Sequence, residues 1–117
     1  MGLYIELLID VDTGGEPYEC KVWDGNITHN LTDMANEAGI YKPLWRPNEF
    51  FNKSDVYAED LVEPLSSGLK NIIDSKEKLM TMEPRNGYGS YDWLCEFVTQ
   101  YRDACKKYPK AKVYAER

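Results

Sequence analysis

The segment Arg85-Asn86-Gly87-Tyr88-Gly89-Ser90 joins a guanidinium, an amide, two glycines and a hydroxyl directly ahead of a long amphipathic stretch. Glycine lets the backbone turn tightly and approach another group closely. Ser90 is a good N-cap, and the helix start behind it offers free N–H groups and a partial positive charge. Together with Arg85, such a lip suits a phosphate or carboxylate, and Tyr88 or Tyr91 can stack on a ring. The same residues also make a plain tight helix entry with Tyr88 in the core. The motif is shorter than a dinucleotide fingerprint, and no Lys-Ser/Thr follows as in a P-loop.

Two further segments offer polar chemistry. Asn26-Ile27-Thr28-His29-Asn30 presents donors and acceptors to a small polar ligand through Asn26, Thr28 and His29. Its structural alternative is a turn completed by Asn26 and a helix capped by Thr28 or Asn30. Trp45-Arg46 supplies a ring and a second cation that could reach one anionic ligand with Arg85. Otherwise Trp45 plugs the core and Arg46 pairs with a surface acid.

His29 is the only histidine, and no serine motif points to it. Cys20 could meet it in space, yet the spacing marks no nucleophile and base. Cys95 and Cys105 share one expected helix and would sit about 15 Å apart along its axis, beyond the ~7 Å that a disulfide spans. No zinc spacing is present. The expectation is a binding module without catalytic residues, cofactor or metal.

The elements that must position these residues follow from periodicity. Leu3, Ile5, Leu7 and Ile9 alternate with polar or outward residues, as do Tyr18, Cys20 and Val22, which predicts a hairpin turning at Asp12–Gly15. A short helix is expected over Leu31–Ala38, stopped by Gly39, and then a long aromatic connection over Tyr41–Tyr57. Leu61, Leu65, Leu69, Ile72 and Ile73 form one stripe, carried on to Leu79 and Met80, with regular helix from Pro64. Tyr91, Leu94, Val98, Tyr101, Cys105 and Tyr108 form a second stripe, ended by Pro109. Ala111, Val113 and Ala115 alternate as a last strand. The order β-β-α-α-α-β predicts one α+β domain over residues 1–117. It is a small antiparallel sheet with two long helices on one face and the last strand beside the first.

Composition narrows the function. The 117 residues carry a net charge of −6, and residues 1–60 hold four Lys/Arg against twelve Asp/Glu. A duplex-DNA surface needs clustered cations, so that class is excluded. Acidity suits solubility, or docking on a basic protein site. No apolar run approaches a membrane span, and the first residues lack a signal-peptide pattern, so a cytoplasmic protein is expected.

Three segments carry a resemblance: Asn26–Asn30, Asn86-Gly87-Tyr88-Gly89-Ser90-Tyr91, and Cys105-Lys106-Lys107-Tyr108-Pro109-Lys110-Ala111 with the terminal Arg117. Together they resemble a family of small accessory proteins of bacteriophage and bacterial genomes, with Tyr88 standing where that family usually has Trp. The resemblance implies a phage or mobile-element setting, where small proteins often counter host defence, and carries no established activity. In that setting the sequence predicts a sponge for a nucleotide-derived host signal. The rival expectation is an acidic inhibitor of a host defence nuclease, with Asp10, Asp12, Glu16, Glu19 and Asp24 around the hairpin. A homodimer through the sheet edge or the aromatic loop is also expected.

Overall fold

The computed structural model describes residues 2–11, 14–16, 18–87 and 89–117. Strand β1 (Gly2–Val11) pairs antiparallel with β2 (Tyr18–Thr28) on one side and with β3 (Lys112–Glu116) on the other. The sheet order is β2-β1-β3. The expected α+β architecture therefore holds, with the first strand central and the last beside it.

Alternation in β1 decides which face is covered. Leu3, Ile5 and Leu7 are fully buried and face the helices, while Tyr4, Glu6 and Asp10 lie on the opposite face. Helix α4 (Ala58–Asp74) buries Leu61, Leu65, Leu69 and Ile72, and α6 (Tyr91–Lys107) buries Tyr91, Leu94, Val98, Tyr101 and Cys105. The two long helices pack against each other over this sheet face. Each such Leu or Ile contributes roughly 1.5–3 kcal/mol of burial free energy.

Between β2 and α4 lie a 3-10 turn (His29–Leu31) and three short helices, α1 (Thr32–Glu37), α2 (Tyr41–Trp45) and α3 (Pro47–Phe51). Gly39, at φ +74°, ends the first helical segment as its position suggested. The expected long connection over Tyr41–Tyr57 is thus mostly helical. Pro47 opens α3 and Pro43 sits in the first turn of α2, positions where a missing N–H breaks no helical bond. A fifth helix, α5 (Lys76–Met80), follows α4.

Two other expectations are corrected. Regular helix begins at Ala58 rather than Pro64, because the N–H groups of Ala58 and Glu59 donate to the carbonyls of Ala111 and Pro109 (2.8 and 3.0 Å). Asp60 adds to that start by accepting from the Tyr57 N–H at 3.0 Å. Ile73 and Met80 are 56% and 48% exposed and do not belong to the buried stripe. A one-residue step turns a helix by about 100°, which carries Ile73 off the face held by Ile72.

The two sheet edges differ. The outer side of β3 is covered by the chain at Val56–Tyr57, where the Val113 N–H donates to the Val56 carbonyl at 2.9 Å. The outer side of β2 pairs with no strand among the described residues.

Candidate functional site

The three polar segments meet at the end of β2. Thr28 caps the 3-10 turn by accepting from the Asn30 N–H at 3.2 Å. That cap directs His29 back toward α2, where the Trp45 indole N–H donates to His29 Nδ1 at 2.9 Å. An indole can only donate, so Nδ1 is the acceptor and the imidazole proton sits on Nε2. Trp45 is 2% exposed and stacks on Tyr41, ring centroids 5.5 Å apart at 11°. The glycine loop arrives from the other side. Gly89 has φ +112°, and a Cβ there would lie 3.0 Å from Thr28 Cγ2 and from Leu31. Only glycine satisfies both that backbone and that approach.

An open groove of about 620 Å³ lies beside this junction, lined by Asn26–Asn30 together with Gly2, Leu3, Tyr4 and Trp93. Among the described lining residues there is no Lys, Arg, Asp or Glu. Its walls are amide, hydroxyl, imidazole and aromatic ring. A lining of this chemistry has the ring and the polar groups that stacking and paired hydrogen bonds to a planar group would need.

The expected cations stand elsewhere. Arg46 donates to Glu49 Oε2 at 2.9 Å and to the Tyr41 hydroxyl at 3.5 Å, and those contacts raise its pKa further. Arg85 is exposed and forms no ion pair among the described residues. Neither arginine lines the groove. Asn86 and Gly87 are exposed, and Tyr88 lies outside the described residues.

The anion lip at the start of α6 is already filled from within. Ser90 accepts from the Trp93 N–H at 3.1 Å, and Glu83 Oε1 accepts from the Tyr91 N–H at 2.9 Å. A carboxylate of the chain itself occupies the place that a bound phosphate would take. The loop is therefore built first as a helix entry.

Cys20 and His29 do not meet. Nine residue steps along a nearly continuous strand separate them, on the order of 30 Å at ~3.3 Å per step. Burial pushes the Cys105 thiol up to about 12 and raises Cys95 as well, which leaves both poor nucleophiles. Among the described residues no three His, Cys, Asp or Glu side chains converge as metal ligands.

Sequence reasoning missed Trp93, Tyr4 and Glu83. Trp93 falls off the buried stripe of α6 and is 43% exposed. A large ring on the polar face of a helix is the signal that would have found it. Tyr4 is an outward position of a strand otherwise read for its inward residues. The Glu83 contact spans a loop and has no sequence signature.

Comparison with protein-family models, with curated proteins and with solved structures finds no match. No helix among the described residues is long and apolar enough to cross a membrane.

Proposed function

We propose that the protein is a non-enzymatic binding module whose recognition site is the groove of Asn26–Asn30 and Trp93. One observation carries this reading: the Trp45 and Gly89 segments, remote in sequence, converge on Thr28 and His29 beside an open groove whose described lining residues include no Lys, Arg, Asp or Glu. The ligand class it suits is a nucleobase-like ring of a nucleotide-derived signal. The ring stacks on Trp93, while Asn26, Thr28 and the Nε2–H of His29 read its polar edge. Arg85 does not line the groove, but it is exposed on the loop that reaches Thr28 through Gly89 and is the candidate cation for the anionic end. In a phage or mobile-element setting such binding would sequester a host signal in the cytoplasm.

The test is calorimetric titration with a panel of cyclic dinucleotides and adenine nucleotides. Base–aromatic stacking is worth about 1–3 kcal/mol. Trp93→Ala should therefore weaken a binding nucleotide roughly 5- to 150-fold, and Arg85→Ala should weaken that nucleotide while leaving its uncharged nucleoside unaffected. Unchanged affinity in Trp93→Ala would remove the groove from the account.

A second reading is favoured by the shape of the hairpin. β3 pairs with β1 only over Tyr4–Leu8, so the hairpin beyond Leu8 runs past the third strand with Asp10, Glu16 and Glu19 exposed. Asp12 lies outside the described residues. An acidic arm of this kind suits docking into a basic cleft of a host defence nuclease. It predicts inhibition that salt weakens and that Asp10→Lys with Glu16→Lys abolishes.

A further inference from the structure

We infer that two copies of this chain pair through the free edge of β2, antiparallel about a two-fold axis between Val22 and Trp23. The open edge, the bulge and the charge match that follows from it select this occupant and this register.

The first feature is the edge itself. β2 offers an eleven-residue strand whose outer side pairs with nothing among the described residues. The opposite edge of the sheet is covered at Val56–Tyr57. An unpaired edge of this length is a template for another strand.

The second feature is a bulge. The pairing of β1 with β2 shifts register between Leu7 and Leu8, leaving Val22 as the extra residue. The shift places Lys21 and Asp24 on one face, where they form an ion pair at 2.7 Å and both bond the Tyr4 hydroxyl. In an uninterrupted strand, residues three apart would point to opposite faces. Directly opposed residues of an antiparallel pair must share a face. With the axis between Val22 and Trp23, Lys21 opposes Asp24 of the second copy, Cys20 opposes Gly25, and Tyr18 opposes Ile27. Every one of these matches keeps its face. A shift of two residues sets a bulged position of one copy against a regular one of the other and breaks the agreement.

The third feature is complementarity. The register opposes unlike charges twice, Lys21 to Asp24 in each direction, where like charges would repel. It also carries Tyr18, 54% exposed, to Ile27 at the wall of the groove that holds the 43%-exposed Trp93. Pairing thus covers the exposed Tyr18 ring, and the second copy's Tyr18 forms one side of the groove while Trp93 stays open to it. That last consequence rests on the binding reading given above, whereas the pairing itself does not.

Sedimentation velocity on the full chain is the test, with circular dichroism as the control for folding. Wild type should sediment at twice the 13.6 kDa chain mass. Lys21→Asp alone and Asp24→Lys alone should each be monomeric, because each opposes like charges. An equimolar mixture of the two variants should recover the dimer, since every opposed pair is again unlike. A monomeric wild type would overturn the inference. So would a dimer that both single variants retain. Dimerisation without nucleotide binding would leave the pairing intact and sink only the ligand reading.

Discussion

The indole N–H of Trp45 donates to Nδ1 of His29 at 2.9 Å, tying a buried ring to the turn that follows β2. This one bond fixes the imidazole tautomer, satisfies the polar atom of a side chain 2% exposed, and joins two segments sixteen residues apart. The candidate groove depends on it, because the bond holds the wall formed by Thr28 and His29 against the core.

A double-mutant cycle measures its worth. A neutral hydrogen bond contributes about 0.5–1.5 kcal/mol net, whereas an orphaned buried donor costs about 1–3 kcal/mol. His29→Ala strands the Trp45 N–H, and Trp45→Phe removes it while opening a cavity in the core, so each single variant should destabilise and only the cycle isolates the bond. Denaturant unfolding of both singles and the double should give a coupling of ~1 kcal/mol. Additive effects would show that the bond carries no stability.

Glu83 holds the start of α6, and its removal should uncover an anion site. Glu83→Ala leaves the Tyr91 N–H without its carboxylate and should cost ~1 kcal/mol, the usual worth of a helix cap. Inorganic phosphate should then raise the melting temperature of the variant more than that of wild type. Equal responses of the two proteins would mean that the helix start does not attract anions even when vacant.

The Tyr101 hydroxyl is fully buried and has no hydrogen-bond partner among the described residues. Its ring stacks on Trp23 with centroids 5.3 Å apart, so the packing is carried by the aromatic system and not by the oxygen. Tyr101→Phe keeps the ring and removes an unsatisfied group. It should raise stability by ~1 kcal/mol, read as a higher denaturant midpoint at unchanged slope. A loss of stability would reveal that the hydroxyl is satisfied in solution.

Asp60 makes stability depend on acid. The Lys53 ammonium, bonded at 2.8 Å, and then the Tyr57 N–H hold its carboxyl below the ordinary value of 3.8. A carboxylate depressed in the folded state stabilises above the unfolded value and loses that contribution as pH falls through the folded one. Wild type should thus lose stability below about pH 4 more steeply than Asp60→Asn. Parallel curves of unfolding free energy against pH would contradict the assignment.

Period-two alternation in Leu3, Ile5 and Leu7, and period-3.6 spacing from Tyr91 to Cys105, made the sheet and α6 legible, because burial on one face writes itself into spacing. Where the chain leaves such periods, the sequence was less clear. Ile73 and Met80 are apolar yet exposed, so residue type alone misassigned them. Pro43 and Pro47 read as loop although a first helical turn accepts both. The site was legible in its segments and not in its members. Asn26, Thr28 and His29 do gather with the Trp45 and Gly89 segments, but Arg46 is drawn to Glu49, an acid on the next turn. The contacts of Glu83 and the exposure of Trp93 depend on how distant elements pack, which no local pattern encodes.

The most direct test of the binding site is a ¹H–¹⁵N NMR titration of the protein with the nucleotide panel. The account predicts that a binding member shifts the amides of Asn26–Asn30 and the indole N–H of Trp93, while Trp45, buried and bonded to His29, moves far less. Absence of shifts from every member, or shifts centred on Arg46 and Glu49 away from the groove, would contradict it.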